Sequence, residues 1–142
     1  MYMVDTCVFN WLVSERISLT DLPGNGDYFA THVQWDELDR TPREPLRSEL
    51  LARFTQVVDR EVLTESAVVK VSRAGRCKVS DGVLFESIRS SLDSLNNSKS
   101  NNASDALIAE AAIVNGWVLI TADRDLAQVA GGHECVVHLV QA

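Results

Sequence analysis

A chain of 142 residues, 46% hydrophobic and 23% charged, holds enough apolar material for one compact domain and leaves little room for a second. No stretch approaches the ~20 apolar residues of a bilayer span. The chain also enters a strand-like run at Tyr2 without the basic and apolar regions of a secretory leader, so it reads as soluble, unexported and cytoplasmic. A formal net charge of -7 argues against broad electrostatic attraction to nucleic acid, unless several acids share a metal site whose cations invert the local field.

In chain order, "YMVD" reads as a short buried strand running into Asp5, and "TCVFNWLVS" has the apolar spacing of a helix opening, with Thr6 as its cap. The turn-rich "TDLPGNGD" separates these from "YFATHVQWDELDR", predicted helical. A second helix is predicted over "TPREPLRSELLARFTQVVDR", where Leu46, Leu50, Leu51, Phe54, Val57 and Val58 recur at helical spacing behind Pro45. "SAVVKVS" suggests a strand, and "SDGVLFESIRSSLDSL" sets Leu84, Ile88, Leu92 and Leu95 on one helical face after a Ser80 or Asp81 cap. The run "NNSKSNNAS" is predicted to be a loop. "DALIAEAAIVNG" follows as a helix stopped at Asn115-Gly116, "WVLIT" as a central parallel strand, and "ECVVHLV" as a last strand.

Strands alternating with helices of this length imply an α/β domain with an open, mostly parallel sheet covered on both faces, and there are no internal repeats. Cys7, Cys77 and Cys135 are an odd set at spacings that fit neither a disulfide framework nor a zinc site, which points to reduced thiols. His32, His133 and His138 form no ligand spacing and read as structural.

The functional crevice of such a sheet lies outside the carboxyl ends of the strands, where strand order reverses. Asp5 ends the first strand, Asp123 follows "WVLIT", and Asp105 opens the helix before that strand, so acids from distant sequence converge there. Glu37 is preferred to Asp36 as a fourth, because neighbouring helical residues point about 100 degrees apart and cannot both face one site. Clustered carboxylates raise each other's pKa unless a cation neutralises them. All-oxygen ligation without a His or Cys set favours magnesium or manganese over zinc, and such ions typically serve phosphate chemistry.

The order "VDTCVFNWL", "THVQWDEL", "SDALIAEAAIVNGWVLITADRDL" resembles the PIN-domain ribonucleases, in particular the VapC-like toxins of bacterial toxin-antitoxin pairs, over nearly the whole chain. The last segment is the most specific: an acid opening a helix rich in small residues, then an apolar strand and a "T-x-D-x-D" ending. The resemblance implies a single three-layer α/β/α PIN-like domain over residues 1–142. It places the family's acidic quartet on Asp5, Glu37, Asp105 and Asp123, with Asp125 as an auxiliary metal ligand and Thr6 and Thr121 as hydroxyls beside the site. It further implies bound magnesium or manganese, hydrolysis of single-stranded RNA by a metal-activated water, a small antitoxin protein as partner, and a homodimer. Three departures stand out. Cys7 replaces a small polar residue, which predicts a missing hydrogen bond beside the site; Leu126 replaces an aromatic, which predicts a packing change; and the long interval from Glu37 to Asp105 leaves room for an extra helix.

Arg124, the Asn-rich loop, and the basic group Lys70, Arg73, Arg76 and Lys78 are candidates to hold substrate. Each signal also has a plainer meaning. Asp5 and Asp105 could simply favour helix N-termini, Asp125 could cap the helix beginning "LAQVA", the basic group could be a solvated face, and Trp11, Trp35 and Trp117 could be packing residues. Two other functions compete: a PIN-like module that binds RNA or protein without cutting, and a phosphatase or receiver-type domain with an aspartyl acceptor. Cys7 weakens the last, since it stands where haloacid-dehalogenase-like phosphatases carry a second aspartate.

Overall fold

The computed structural model describes every residue except 69, 70, 72–74, 77, 79 and 80. Its first strand, β1 (Tyr2–Val4), leads into helix α1 (Thr6–Val13), and a 3-10 turn at Leu19–Asp21 precedes β2 (Tyr28–Ala30). Then come α2 (His32–Asp39), α3 (Leu46–Val57), β3 (Arg60–Glu61), α4 (Val83–Asn96), α5 (Asn102–Asn115), β4 (Val118–Thr121), α6 (Arg124–Gly132) and β5 (Val137–Leu139). All pairings are parallel, in the order β3-β2-β1-β4-β5. The chain therefore winds outward from β1 to β3, then crosses back to place β4 on the other side of β1.

Period-two alternation along the short strands serves two cores, because successive side chains point to opposite faces. Met3, Phe29 and Leu119 face α4, α5 and α6, where Phe85, Ile88, Leu92, Leu107, Leu126 and Val129 are buried. Val4, Ala30 and Ile120 face α1, α2 and α3, where Val8, Phe9, Leu12, Leu38, Leu50 and Phe54 are buried. This is the three-layer α/β/α arrangement that the sequence predicts. The run of alanines in α5 (Ala106, Ala109, Ala111, Ala112), all fully buried, keeps that helix close to its neighbours. Burial of Leu126 fills the place where an aromatic was expected.

Several boundaries differ from the sequence reading. Tyr28–Ala30 is strand β2 rather than helix: these residues pair beside β1, and Thr31 then starts α2 with its own capping box. The N-cap of α1 is Asp5, not Thr6, since the Asp5 side chain accepts from the Thr6 N–H. Helix α3 ends at Val57, so that Arg60 and Glu61 pair with β2. Helix α5 begins at Asn102, shortening the Asn/Ser loop. In the predicted strand "SAVVKVS", Val69, Lys70 and Ser72 lie outside the described residues, and the others are not in a strand. Ser80 also lies outside them, whereas Asp81 accepts from the Val83 N–H at 3.1 Å.

The tryptophans pack: Trp117 stacks on Phe29 at 4.3 Å, Trp35 meets the edge of Phe54 at 5.2 Å, and Arg16 lies over Trp11 at 4.1 Å. Cys7 and Cys135 are free thiols, and Cys77 lies outside the described residues. Among the described residues no helix is long and apolar enough to cross a membrane.

Candidate active site

The register sets the frame. Val4 is level with Ile120, and the Asp5 N–H donates to the Ile120 carbonyl at 2.9 Å, so the carboxyl ends of β1 and β4 lie side by side at the point where strand order reverses. Asp5, 3% exposed, is held by three donors: the Thr6 N–H on Oδ1 at 2.8 Å, and the Thr121 hydroxyl and Cys7 thiol on Oδ2 at 2.7 and 3.1 Å. The expected missing hydrogen bond is thus supplied by the thiol. Cys7 Sγ also accepts from the Ala122 N–H at 3.3 Å, which ties the start of α1 to the end of β4.

Thr121 extends the link, since its hydroxyl oxygen accepts from the Asp123 N–H at 3.0 Å. Asp123 is the N-cap of α6, accepting from the N–H groups of Asp125 and Leu126 at 2.9 and 3.2 Å. Capping therefore falls to Asp123, and Asp125 contributes only its backbone there. No hydrogen bond among the described residues joins the Asp125 carboxylate to the other acids.

Glu37 enters from α2, and its Oε1 accepts from the Thr6 hydroxyl at 2.8 Å. Asp36 points elsewhere, bonded to His32 Nδ1 at 3.0 Å, as the helical phase requires. The position of α2 is fixed by Gln34, fully buried, whose Oε1 accepts from the Thr31 N–H and whose Nε2 donates to the Val4 carbonyl at 3.0 Å, one residue before Asp5. The carboxylate of Asp105, a residue 6% exposed in the first turn of α5, has no hydrogen-bond partner among the described residues, while its N–H donates to the Asn101 carbonyl at 3.0 Å.

Electrostatics join these acids into one cluster. Burial, then the charges of Asp5, Glu37 and Asp123, push the Asp105 carboxyl up to about 9. Burial pushes Glu37 up to about 7, with Asp5 adding to the rise and the Thr6 hydroxyl and Arg40 opposing it. Asp5 is also raised by burial, against the bonds from Thr121, Cys7 and Thr6. The Cys7 thiol is raised far above its ordinary value by burial and by Asp5, so it stays protonated and able to donate. The structure thus brings Asp5, Glu37, Asp105 and Asp123 within reach of one another's fields, at the strand ends.

Among the described residues no three His, Cys, Asp or Glu side chains stand close enough to clasp one ion as they are placed. The donor chemistry nevertheless fits a hard divalent cation. Every donor is a carboxylate oxygen, repulsion among them is opposed only in part by Lys99 and Arg40, and no hydrogen-bond donor among the described residues reaches the Asp105 carboxylate. Of the residues suggested to hold substrate, Arg76 pairs with Glu61, and Lys78 Nζ bonds Glu65 Oε1 at 3.0 Å, while Lys70 and Arg73 lie outside the described residues. Arg124 is exposed at the start of α6.

No protein-family model matches this chain, and no curated protein matches it. Solved structures do. A member of the VapBC family of toxin-antitoxin systems, VapBC-5, from Mycobacterium tuberculosis is 20% identical, with a TM-score of 0.55 over 99% of this chain and 97% of that one. The chain has a PIN-type fold. A domain of a functionally unknown protein from Methanocaldococcus jannaschii is 18% identical with a TM-score of 0.54, covering 99% of this chain and 91% of that one. FitAcB from Neisseria gonorrhoeae is 15% identical with a TM-score of 0.47, covering 96% of each chain.

The PIN-type frame accounts for where the acids sit. Two leave the adjacent strand ends of β1 and β4, and the other two are brought in by α2 and α5. Sequence reasoning read Cys7 as a loss and did not single out Arg40, whose charge reaches Glu37; Lys99, whose charge reaches Asp105, lies in the Asn-rich loop that it named as a candidate to hold substrate.

Proposed function

We propose that this PIN-type protein is a metal-dependent endoribonuclease that hydrolyses phosphodiester bonds of single-stranded RNA, and that it is the toxin of a toxin-antitoxin pair. The observation that supports this most is the cluster of carboxylates from four separate elements at the strand ends, with the Asp105 carboxylate buried and unpartnered among the described residues. Asp5, Glu37, Asp105 and Asp123 would hold magnesium or manganese. A bound ion would supply Lewis acidity toward the phosphoryl group and would acidify a bound water.

The chain's own residues do the rest. Thr6, Cys7 and Thr121 fix the Asp5 carboxylate at the β1–β4 seam by three donors, which oppose part of the rise that burial imposes on it. Thr6 orients the Glu37 carboxylate through its hydroxyl, which fixes it beside Asp5. Asp123 keeps one carboxylate oxygen on the start of α6, which leaves the other for a ligand. No side-chain nucleophile is required.

The toxin reading rests on likeness in fold to the VapBC-5 structure, whose own name places it in a toxin-antitoxin system. On that reading a small antitoxin protein is the partner and the chain pairs with a second copy, which light scattering of the purified protein would reveal. The open stance of the acids favours one other reading, a PIN-like module that binds RNA or protein without cutting. Cleavage of a mixed single-stranded RNA pool with magnesium or manganese, beside an EDTA control and Asp105→Asn, separates the two. Metal-dependent cutting that the substitution abolishes is the expected result. Equal inertness of wild type and a folded variant overturns the nuclease and leaves the binding module.

A further inference from the structure

Beyond the acids, the corner between α4 and α5 is built with more care than a linker needs. Asn102, 1% exposed, donates to Asp93 Oδ1 at 2.7 Å and to Asn96 Oδ1 at 2.8 Å, while Asn96 Nδ2 donates back to Asn102 Oδ1 at 2.9 Å. Asn97 and Ser98 both hold φ of 58, the left-handed region. This network spends the buried amides on the corner itself. It also fixes Lys99, whose N–H donates to Asn96 Oδ1 at 3.3 Å and whose carbonyl accepts from the Asn102 N–H at 3.1 Å.

Lys99 is exposed, and so is Arg40 at the end of α2. Among the described residues neither forms an ion pair, whereas Arg47, Arg76 and Lys78 are each neutralised by a glutamate. The Arg40 N–H donates to the Glu37 carbonyl at 3.3 Å, and the Lys99 carbonyl accepts from Asn102 at the start of the helix whose first turn carries Asp105, so each borders the crevice from its own element. An acidic chain of net charge -7 repels a polyanion except where such cations stand free.

We infer that Lys99 and Arg40 are phosphate-positioning residues, which bind the nucleotide phosphates flanking the scissile bond and lay single-stranded RNA across the acids between them. The inference rests on the ribonuclease reading for its substrate and names how that substrate is held. A corner locked by Asn102 presents the ammonium of Lys99 with little backbone freedom to lose on binding, and two cations from two elements define a track rather than a point.

The test uses a fluorescein-labelled single-stranded RNA of mixed sequence. Lys99→Gln and Arg40→Gln are each expected to raise KM several-fold, the loss falling on KM rather than on kcat. In an Asp5→Asn background that does not cut, each should lower the slope of log affinity against log salt by ~0.7, and the double variant by about twice that. Arg53→Gln, which removes a cation that donates to Gln56 Oε1 at 2.9 Å on α3, serves as the matched control and should move neither quantity. If wild type cuts RNA but the variants change neither KM nor the salt slope, the inference falls while the nuclease stands. If wild type cuts nothing yet the variants lose RNA affinity with the expected slopes, the cations are RNA contacts and it is the cleavage reading that fails.

Discussion

Cys7 shows how one side chain can be misread from its type and placed correctly by its neighbours. A thiol is a weak donor, yet here it completes the shell around Asp5 and accepts from the Ala122 N–H across the β1–β4 seam. Cys7→Ala leaves that part-buried N–H without its partner and is expected to cost ~1–2 kcal/mol, read as a lowered urea midpoint. Cys7→Ser, which keeps a donor and an acceptor in nearly the same place, should recover most of the loss. Equal stability of both variants and wild type would remove the thiol from the network. The acids themselves were legible because each has a positional signature: Asp5 and Asp123 follow apolar strands, Asp105 opens a helix of small residues, and helical phase alone separates Glu37 from Asp36. Nothing in residue type could tell that Asp5 and Asp123, rather than Thr6 and Asp125, cap their helices, because all four can accept from a backbone N–H.

The long helices were the plainest elements, and of the short strands those set apart by polar residues or turns were read while β2 and β3 were not. Helices α3 and α4 run 12 and 14 residues and declare themselves through repeated leucines, whereas β2 has 3 residues and β3 has 2, too few to display an alternation. Tyr28–Ala30 merged with the helix that follows it, and what separates them is Thr31 with Gln34, a capping box in which Gln34 also spans to the Val4 carbonyl. That cap matters because α2 delivers Glu37. Thr31→Ala is expected to destabilise the protein by ~1 kcal/mol. Cleavage of RNA should fall further than the fraction unfolded accounts for, since a loosened α2 misplaces Glu37 against Thr6. Thermal melting beside specific activity checks this, and an activity loss no greater than the unfolded fraction would confine the cap to stability.

At the scale of the whole molecule the acids place function in opposition to stability. A carboxyl whose pKa folding raises binds more protons folded than unfolded, so its contribution to stability is complete at low pH and drains away as pH rises. For Glu37 the loss runs from its ordinary 4.5 to about 7, and for Asp105 from 3.8 to about 9. Metal-free protein should therefore lose melting temperature between about pH 5 and about pH 9. Asp105→Asn should raise it near pH 8 by ~4 °C, the equivalent of ~1 kcal/mol in a domain of this size. Magnesium or manganese should restore the wild type there and do less near pH 5, because a ligand stabilises by the binding it gains in the folded state. A metal-free melting temperature that stays flat or climbs over this range, with no response to either ion, would refute the account. The layered α/β plan was readable from the alternation of strands and helices. The Asn-rich loop holding Lys99 was singled out by composition, but not the hydrogen bonds of Asn102 that fix its corner, because they depend on where α4 and α5 meet.

The order β3-β2-β1-β4-β5 has one more consequence. The central strand belongs to the beginning of the described chain, and its second neighbour, β4, comes only at Val118–Thr121, after α5 has been made. Asp5 and Glu37 thus exist as half a site through most of the protein's synthesis, and Asp105 and Asp123 arrive as the other half when the sheet closes. On the ribonuclease reading, cutting therefore waits for the docking of β4 on β1, and strand closure would set the moment at which the site is whole.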